Sequence, residues 1–126
     1  MASREATRMA RSNKAKGASF ESAIVEWFRS KGYTANRLSR RGKRDEGDVA
    51  VELGDTVFVI EAKNVKTITL SDFIQQSQTE AGFYAEARGL DPSRVIPLVV
   101  VKRRMKGVSQ SYAVIELDTL TRIVGL

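Results

Sequence analysis

The chain has 126 residues, 42% of them apolar, and a formal net charge of +6, which suits one domain with a core of its own. It contains no cysteine and no histidine, which excludes disulfide frameworks, thiolate zinc sites and imidazole acid–base chemistry, and leaves carboxylates to bind hard, oxygen-seeking metals. No apolar run nears the roughly 20 residues of a membrane span, and the basic N-terminus has no apolar centre and does not read as a secretory signal, so a cytoplasmic protein is expected.

Residues 1–16 carry Arg4, Arg8, Arg11, Lys14 and Lys16 and almost no large apolar side chains. They read as a mobile basic arm ahead of a domain over 17–126. Residues 18–31 read as a helix, with Phe20, Ile24, Trp27 and Phe28 on one stripe and Gly32 as its stop. Glu21 projects at the edge of that stripe or inside it, whereas Glu26 points to solvent. A buried glutamate needs a partner, so Glu21 is a candidate third acid of a site. The plainer alternative is a boundary residue reaching water or pairing with an arginine.

Tyr33 to Leu38 reads as a first strand, and Ser39 to Gly47 as a basic loop. Arg37, Arg40, Arg41, Lys43 and Arg44 crowd five positive charges into eight residues here. A hairpin follows, with strands 48–53 and 56–63 joined by Gly54-Asp55, a two-residue turn signal. Residues 70–88 read as a second helix, capped at Thr69 or Ser71, ended by Gly89 and Pro92, and carrying Gln75, Gln76, Gln78 and Tyr84. Val95 to Val101 is a β-branched run suited to a buried strand. Lys102, Arg103, Arg104 and Lys106 follow it, then a turn over 105–109, a strand over 111–117 and a possible edge strand over 120–126. The order α-β-β-β-α-β-β describes an α/β fold, a mixed sheet flanked by helices.

The hairpin carries the functional signal. Centred on Gly54-Asp55, it sets Leu53 opposite Thr56, Val51 opposite Phe58 and Asp48 opposite Glu61. Strand alternation then puts Asp48, Ala50, Val57, Val59, Glu61 and Lys63 on one face. Opposed like charges destabilise a sheet, so two acids in apolar strands require a counter-charge. A divalent cation supplies it, since Mg²⁺ is held by one or two carboxylates plus phosphate oxygens and waters. A salt-bridge network with Lys63 and Arg44 is the structural alternative. Three separated basic clusters suit a protein that holds a phosphate backbone, although such clusters also occur as plain solvated faces.

Four pieces in this order, Lys16-Gly17-Ala18-Ser19-Phe20-Glu21, Gly32-Tyr33, Gly47-Asp48-Val49-Ala50 and Ile60-Glu61-Ala62-Lys63, resemble the PD-(D/E)XK nuclease superfamily, with its restriction-endonuclease-like fold. Within it, residues 16–102 are most similar to archaeal-type Holliday junction resolvases. The chain has Gly47 where the superfamily signature has proline, and Ser39 is its one candidate for the resolvase loop serine. The resemblance implies that Asp48, Glu61 and Glu21, with the Ala62 carbonyl, bind one or two Mg²⁺ ions (Mn²⁺ substituting). It implies that Lys63 orients or helps deprotonate the attacking water, and that a homodimer makes paired nicks in branched DNA. One glutamine of the second helix would join the site. Candidate DNA contacts are Lys16, Ser39, Arg40, Arg41, Lys43, Arg44, Gln75, Gln76, Lys102, Arg103 and Arg104. No small-molecule cofactor and no membrane partner are expected. Two other readings are another nuclease on this fold, acting on single strands, ends or damaged DNA or as a restriction-like enzyme, and a non-catalytic nucleic-acid binding module.

Overall fold

The computed structural model describes residues 4–39 and 44–125. Its first helix, α1 (Arg4–Ser30), is far longer than the 18–31 expected and runs through the basic segment read as a mobile arm. Ala, Arg, Lys, Met and Glu in that segment are strong helix formers, and extending an existing helix needs no buried stripe of its own. Phe20, Ile24 and Val25 are buried, whereas Arg4, Arg8, Lys14 and Lys16 are exposed.

Five strands follow among the described residues: β1 (Thr34–Arg37), β2 (Val49–Leu53), β3 (Thr56–Lys63), β4 (Val95–Val101) and β5 (Tyr112–Val114). They lie in sequence order in one sheet. β3 and β4 are parallel and the other neighbours antiparallel. A parallel pair needs a crossover, and α2 (Leu70–Arg88) provides it with the bounds expected from sequence.

The hairpin register is also as expected, with Leu53 opposite Thr56, Val51 opposite Phe58 and Val49 opposite Ile60. Gly54 turns it with φ of 61°. Alternation sorts the side chains between two cores. Val49, Val51 and Ile60 face Phe20, Ile24 and Val25 of α1. Ala50 and Val59 face Ala81, Tyr84 and Ala85 of α2. Asp48, Glu61 and Lys63 share the α2 side of the sheet, against which the buried stripe of α2 packs.

The C-terminus departs from expectation. The last strand shrinks to three residues, and the possible edge strand over 120–126 is instead a helix, α3 (Leu117–Val124), closed by Gly125 with φ of 74°. Leu117, Leu120 and Val124 recur at helical rather than alternating spacing, which is the period that decides between the two. Among the described residues no helix is long and apolar enough to cross a membrane.

Candidate active site

Glu61 and Lys63 leave β3 in the middle of the sheet, and Asp48 stands immediately before β2. The backbone fixes Asp48 on both sides. Its N–H donates to the Ile60 carbonyl at 2.9 Å, and its carbonyl accepts from the Leu38 N–H at 2.8 Å. Its Oδ2 accepts from the Ala62 N–H at 2.8 Å. Ala62 thus touches the site through its N–H, whereas the resemblance implied a role for its carbonyl.

Lys63 Nζ lies 3.2 Å from Glu61 Oε1 and donates to Gln76 Oε1 at 2.8 Å. Gln76 Nε2 closes the ring by donating to Glu61 Oε1 at 3.1 Å. Among the glutamines of α2, Gln76 is therefore the one that joins the site. The Phe73 ring sits beneath the Lys63 ammonium at 4.9 Å and restricts it to the site side.

Glu80, which sequence reasoning missed, is one helical turn past Gln76 and only 3% exposed. No donor reaches either of its oxygens or Glu61 Oε2 in good hydrogen-bonding geometry, although the Glu61 carboxyl and the Gln76 amide lie close enough to Glu80 to act on its ionisation. The signal for it was present. Glu80 falls within the buried stripe Phe73, Ser77, Ala81 and Tyr84, the same reasoning that draws attention to Glu21 on the first helix.

Burial raises the Asp48 carboxyl to about 8, with Glu61 adding to the rise and the Ala62 N–H opposing it. Burial likewise raises Glu61 to about 8; Glu80 adds to the rise and Lys63 pulls against it. Glu80 is raised by burial too; the side chains of Glu61 and Gln76 oppose the rise, and Asp45 and Asp48 add repulsion. Ionised carboxylates only accept hydrogen bonds, so this cluster awaits protons or cations. Among the described residues no three acids already close into a metal cage. The donor set fits an ion that keeps most of its waters, as Mg²⁺ does. A cleft of about 380 Å³, lined by Asp72, Gln75, Gln76, Thr79 and Glu80, opens beside the cluster.

No family model and no curated protein matches the chain. Among solved structures it is similar to Hjc, a Holliday junction resolvase from the archaeal hyperthermophile Archaeoglobus fulgidus. The TM-score is 0.50 and the identity 17%, covering 82% of this chain and 90% of that one. The chain has the resolvase fold.

In this resolvase-like fold, the glycine before Asp48 has a local cause. Gly47 has φ of 102°, outside the reach of proline, whose φ is locked near −65°. A Cβ there would also lie 2.8 Å from Val59 Cγ1 and 3.6 Å from Glu80 Oε2. The segment ahead of it is strapped to α2. Arg44 pairs with Glu86 at 2.8 Å and stacks over Phe83 at 5.0 Å. Glu46 pairs with Arg88, and Asp45 Oδ1 accepts from the Gly47 N–H at 3.0 Å. Arg44 therefore does not pair with Asp48 or Glu61, as the structural alternative required.

The remaining candidate residues scatter around the resolvase-like core. Glu21 accepts from Arg37 Nη2 at 2.9 Å and Nε at 3.2 Å. It approaches from the α1 side of the sheet, so its charge is felt at Asp48 but its carboxylate is engaged elsewhere. Ser39 and Lys16 are exposed. Arg40, Arg41 and Lys43 lie outside the described residues. Gln75 lines the cleft. The run Lys102, Arg103 and Arg104 begins beside the site, since the Lys102 N–H donates to the Lys63 carbonyl at 2.9 Å. Arg103 lies over Tyr112 at 4.9 Å.

Proposed function

We propose that this protein is a divalent-metal-dependent, structure-selective DNA endonuclease that resolves four-way junctions by paired nicks, as a homodimer. One observation carries the reading: Glu61 is buried, with Asp48 and Lys63 half-buried on the same face of a resolvase-like sheet, and Glu61 Oε2 and both Glu80 oxygens have no donor bonded to them. Asp48 and Glu61 would hold Mg²⁺, or Mn²⁺ in its place, with the Ala62 carbonyl and Glu21 as further candidate ligands. Bound there, the ion supplies charge neutralisation at the scissile phosphate and a water of lowered pKa.

The chain's own groups do the positioning. An ammonium has three protons, and Lys63 directs two of them at Glu61 and Gln76. The third is free to meet a phosphate oxygen or the attacking water, where it opposes the negative charge that grows on the phosphoryl group. Gln76 locks that orientation by bonding both partners. Phe73 beneath the ammonium keeps water away from its far side.

Lys102, Arg103 and Arg104 start next to Lys63 and would grip phosphates beside the cleaved bond. Lys16, Ser39 and the loop residues Arg40, Arg41, Lys43 and Arg44 would extend the grip, as would Gln75 and Gln76 from α2. Backbone contacts position DNA without reading sequence, which favours recognition by shape.

The test is a Mg²⁺-dependent nicking assay on four-way, flap, linear and single-stranded substrates, with and without chelator, for the wild type and Asp48→Ala. Junction cleavage should disappear with chelator and with the variant, while junction binding persists. Equal rates on all four substrates would remove the junction preference but keep the hydrolase. Undiminished cleavage by Asp48→Ala would remove the assigned site.

A further inference from the structure

We infer that Glu80, together with the outer oxygen of Glu61, forms a second divalent-cation site, facing the cleft on the α2 side and separate from the pair Asp48 and Glu61. This rests on the reading of Glu61 as an ion-holding carboxylate, which it would share between the two positions.

The donors around the cluster turn first to other acceptors, and Gln76 alone among them also favours an ionised Glu80. Lys63 Nζ and Gln76 Nε2 both turn to Glu61 Oε1. The Ala62 N–H goes to Asp48, and the Gly47 N–H goes to Asp45. Glu61 Oε2 and both Glu80 oxygens are left buried without a donor. A buried polar group without a partner is destabilising, and more so when charged. A single proton shared between the two glutamates satisfies two of these three oxygens at most. A hard cation satisfies all three, because carboxylate oxygens are its preferred ligands.

The surroundings fit a partly hydrated ion. Asp72, Gln75, Gln76 and Thr79 line the cleft with Glu80, and their polar groups suit the waters that Mg²⁺ retains. The absent side chain of Gly47 keeps room beside Glu80 Oε2, where a Cβ would stand 3.6 Å away. Asp45 and Asp48 add negative charge from the loop side, and Lys63 is the one ammonium bonded to the cluster among the described residues.

The probe is Mn²⁺ counted by electron paramagnetic resonance on the full chain without DNA, at a pH above 8 so that the acids are free to ionise. The wild type should bind about two Mn²⁺ per chain, and Glu80→Gln about one. Asp48→Asn should also retain about one, through Glu61 and Glu80. Thermal unfolding provides a readout independent of counting. In metal-free buffer Glu80→Gln should melt above the wild type, because its amide can donate to Glu61 Oε2, and it should show a smaller Mn²⁺-induced rise. A wild type that binds one ion, lost in Asp48→Asn and unaffected by Glu80→Gln, would overturn this inference and leave the proposed nuclease site standing. A wild type that binds none would overturn both.

Discussion

Lys63 Nζ lies 3.2 Å from Glu61 Oε1, and the two side chains, two residues apart on one strand, are 17% and 7% exposed. An ion pair this sheltered is screened far less than a surface one. It lowers the Glu61 carboxyl against the burial that raises it. Lys63→Met should reduce Mg²⁺-dependent cleavage roughly 10²–10³-fold, the range seen when one positioned donor is removed from a transition state. Junction affinity by gel shift should change little. Cleavage within a few-fold of wild type would show that the ammonium does not face the phosphoryl group.

Gln76 and Gln75 are neighbours with different surroundings, which makes a paired test. Gln76 bonds both Lys63 and Glu61, whereas Gln75 is exposed along the cleft. Gln76→Leu should slow single-turnover cleavage by about tenfold or more, since a hydrogen bond to a charged group is worth about 1.5–3 kcal/mol. Gln75→Ala should act mainly on DNA affinity. Equal effects of the two variants on the cleavage rate would mean that the ring does not orient Lys63.

Gly47 precedes Asp48 in a conformation with no room for a side chain, and replacing it should harm this chain. Both the backbone angle of 102° and the 2.8 Å approach to Val59 oppose any side chain. Gly47→Ala should lower unfolding free energy by about 2–4 kcal/mol, summing left-handed strain and overpacking. Gly47→Pro should lose more. Denaturant melts that leave either variant as stable as wild type would contradict the loop geometry.

The pH dependence of stability follows from the carboxylates. Asp48 rises from 3.8 and Glu61 from 4.5, each to about 8 in the fold. A raised folded pKa means that the native state binds more protons than the unfolded chain across that interval. The stability this contributes is complete below the unfolded values and is lost as pH rises through the folded ones. Metal-free protein should therefore lose stability from about pH 5 to pH 8, with a limiting slope of about 1.4 kcal/mol per pH unit for each group. Added Mg²⁺ should restore stability most at the alkaline end, because it replaces the departing protons. A metal-free melting temperature that climbs over this range would contradict the buried cluster.

The basic turns of α1 carry an electrostatic prediction. Removing residues 1–15 leaves Phe20, Ile24 and Val25, which pack on the sheet, so the domain should still fold. Junction affinity should fall, and the slope of log K against log salt should flatten by about 0.9 for each phosphate that the shortened chain no longer neutralises. An unchanged slope would place these residues away from the DNA.

Much of the core was legible in the chain. Period-two alternation around Gly54-Asp55 is a local property, and it sets the hairpin register and the shared face of Asp48, Glu61 and Lys63. Gln76 is not separable from Gln75 and Gln78 by that means, because the choice depends on how α2 is rotated against the sheet. Glu80 is legible in principle, as an acid inside an apolar stripe. The last ten residues are ambiguous for a different reason: a short apolar segment fits a strand or a helix until its spacing is counted.

Composition by itself excluded thiol and imidazole chemistry, and local periodicity put two carboxylates and a lysine on one face of a hairpin. Only the tertiary structure decided which side chains meet across the fold: Gln76 and Glu80 of α2 beside Glu61, and Arg37 of β1 bonded to Glu21. The physical reason is that register within a hairpin is set by backbone bonds between near neighbours, whereas the rotation of a helix over a sheet is set by the packing of many side chains far apart in sequence.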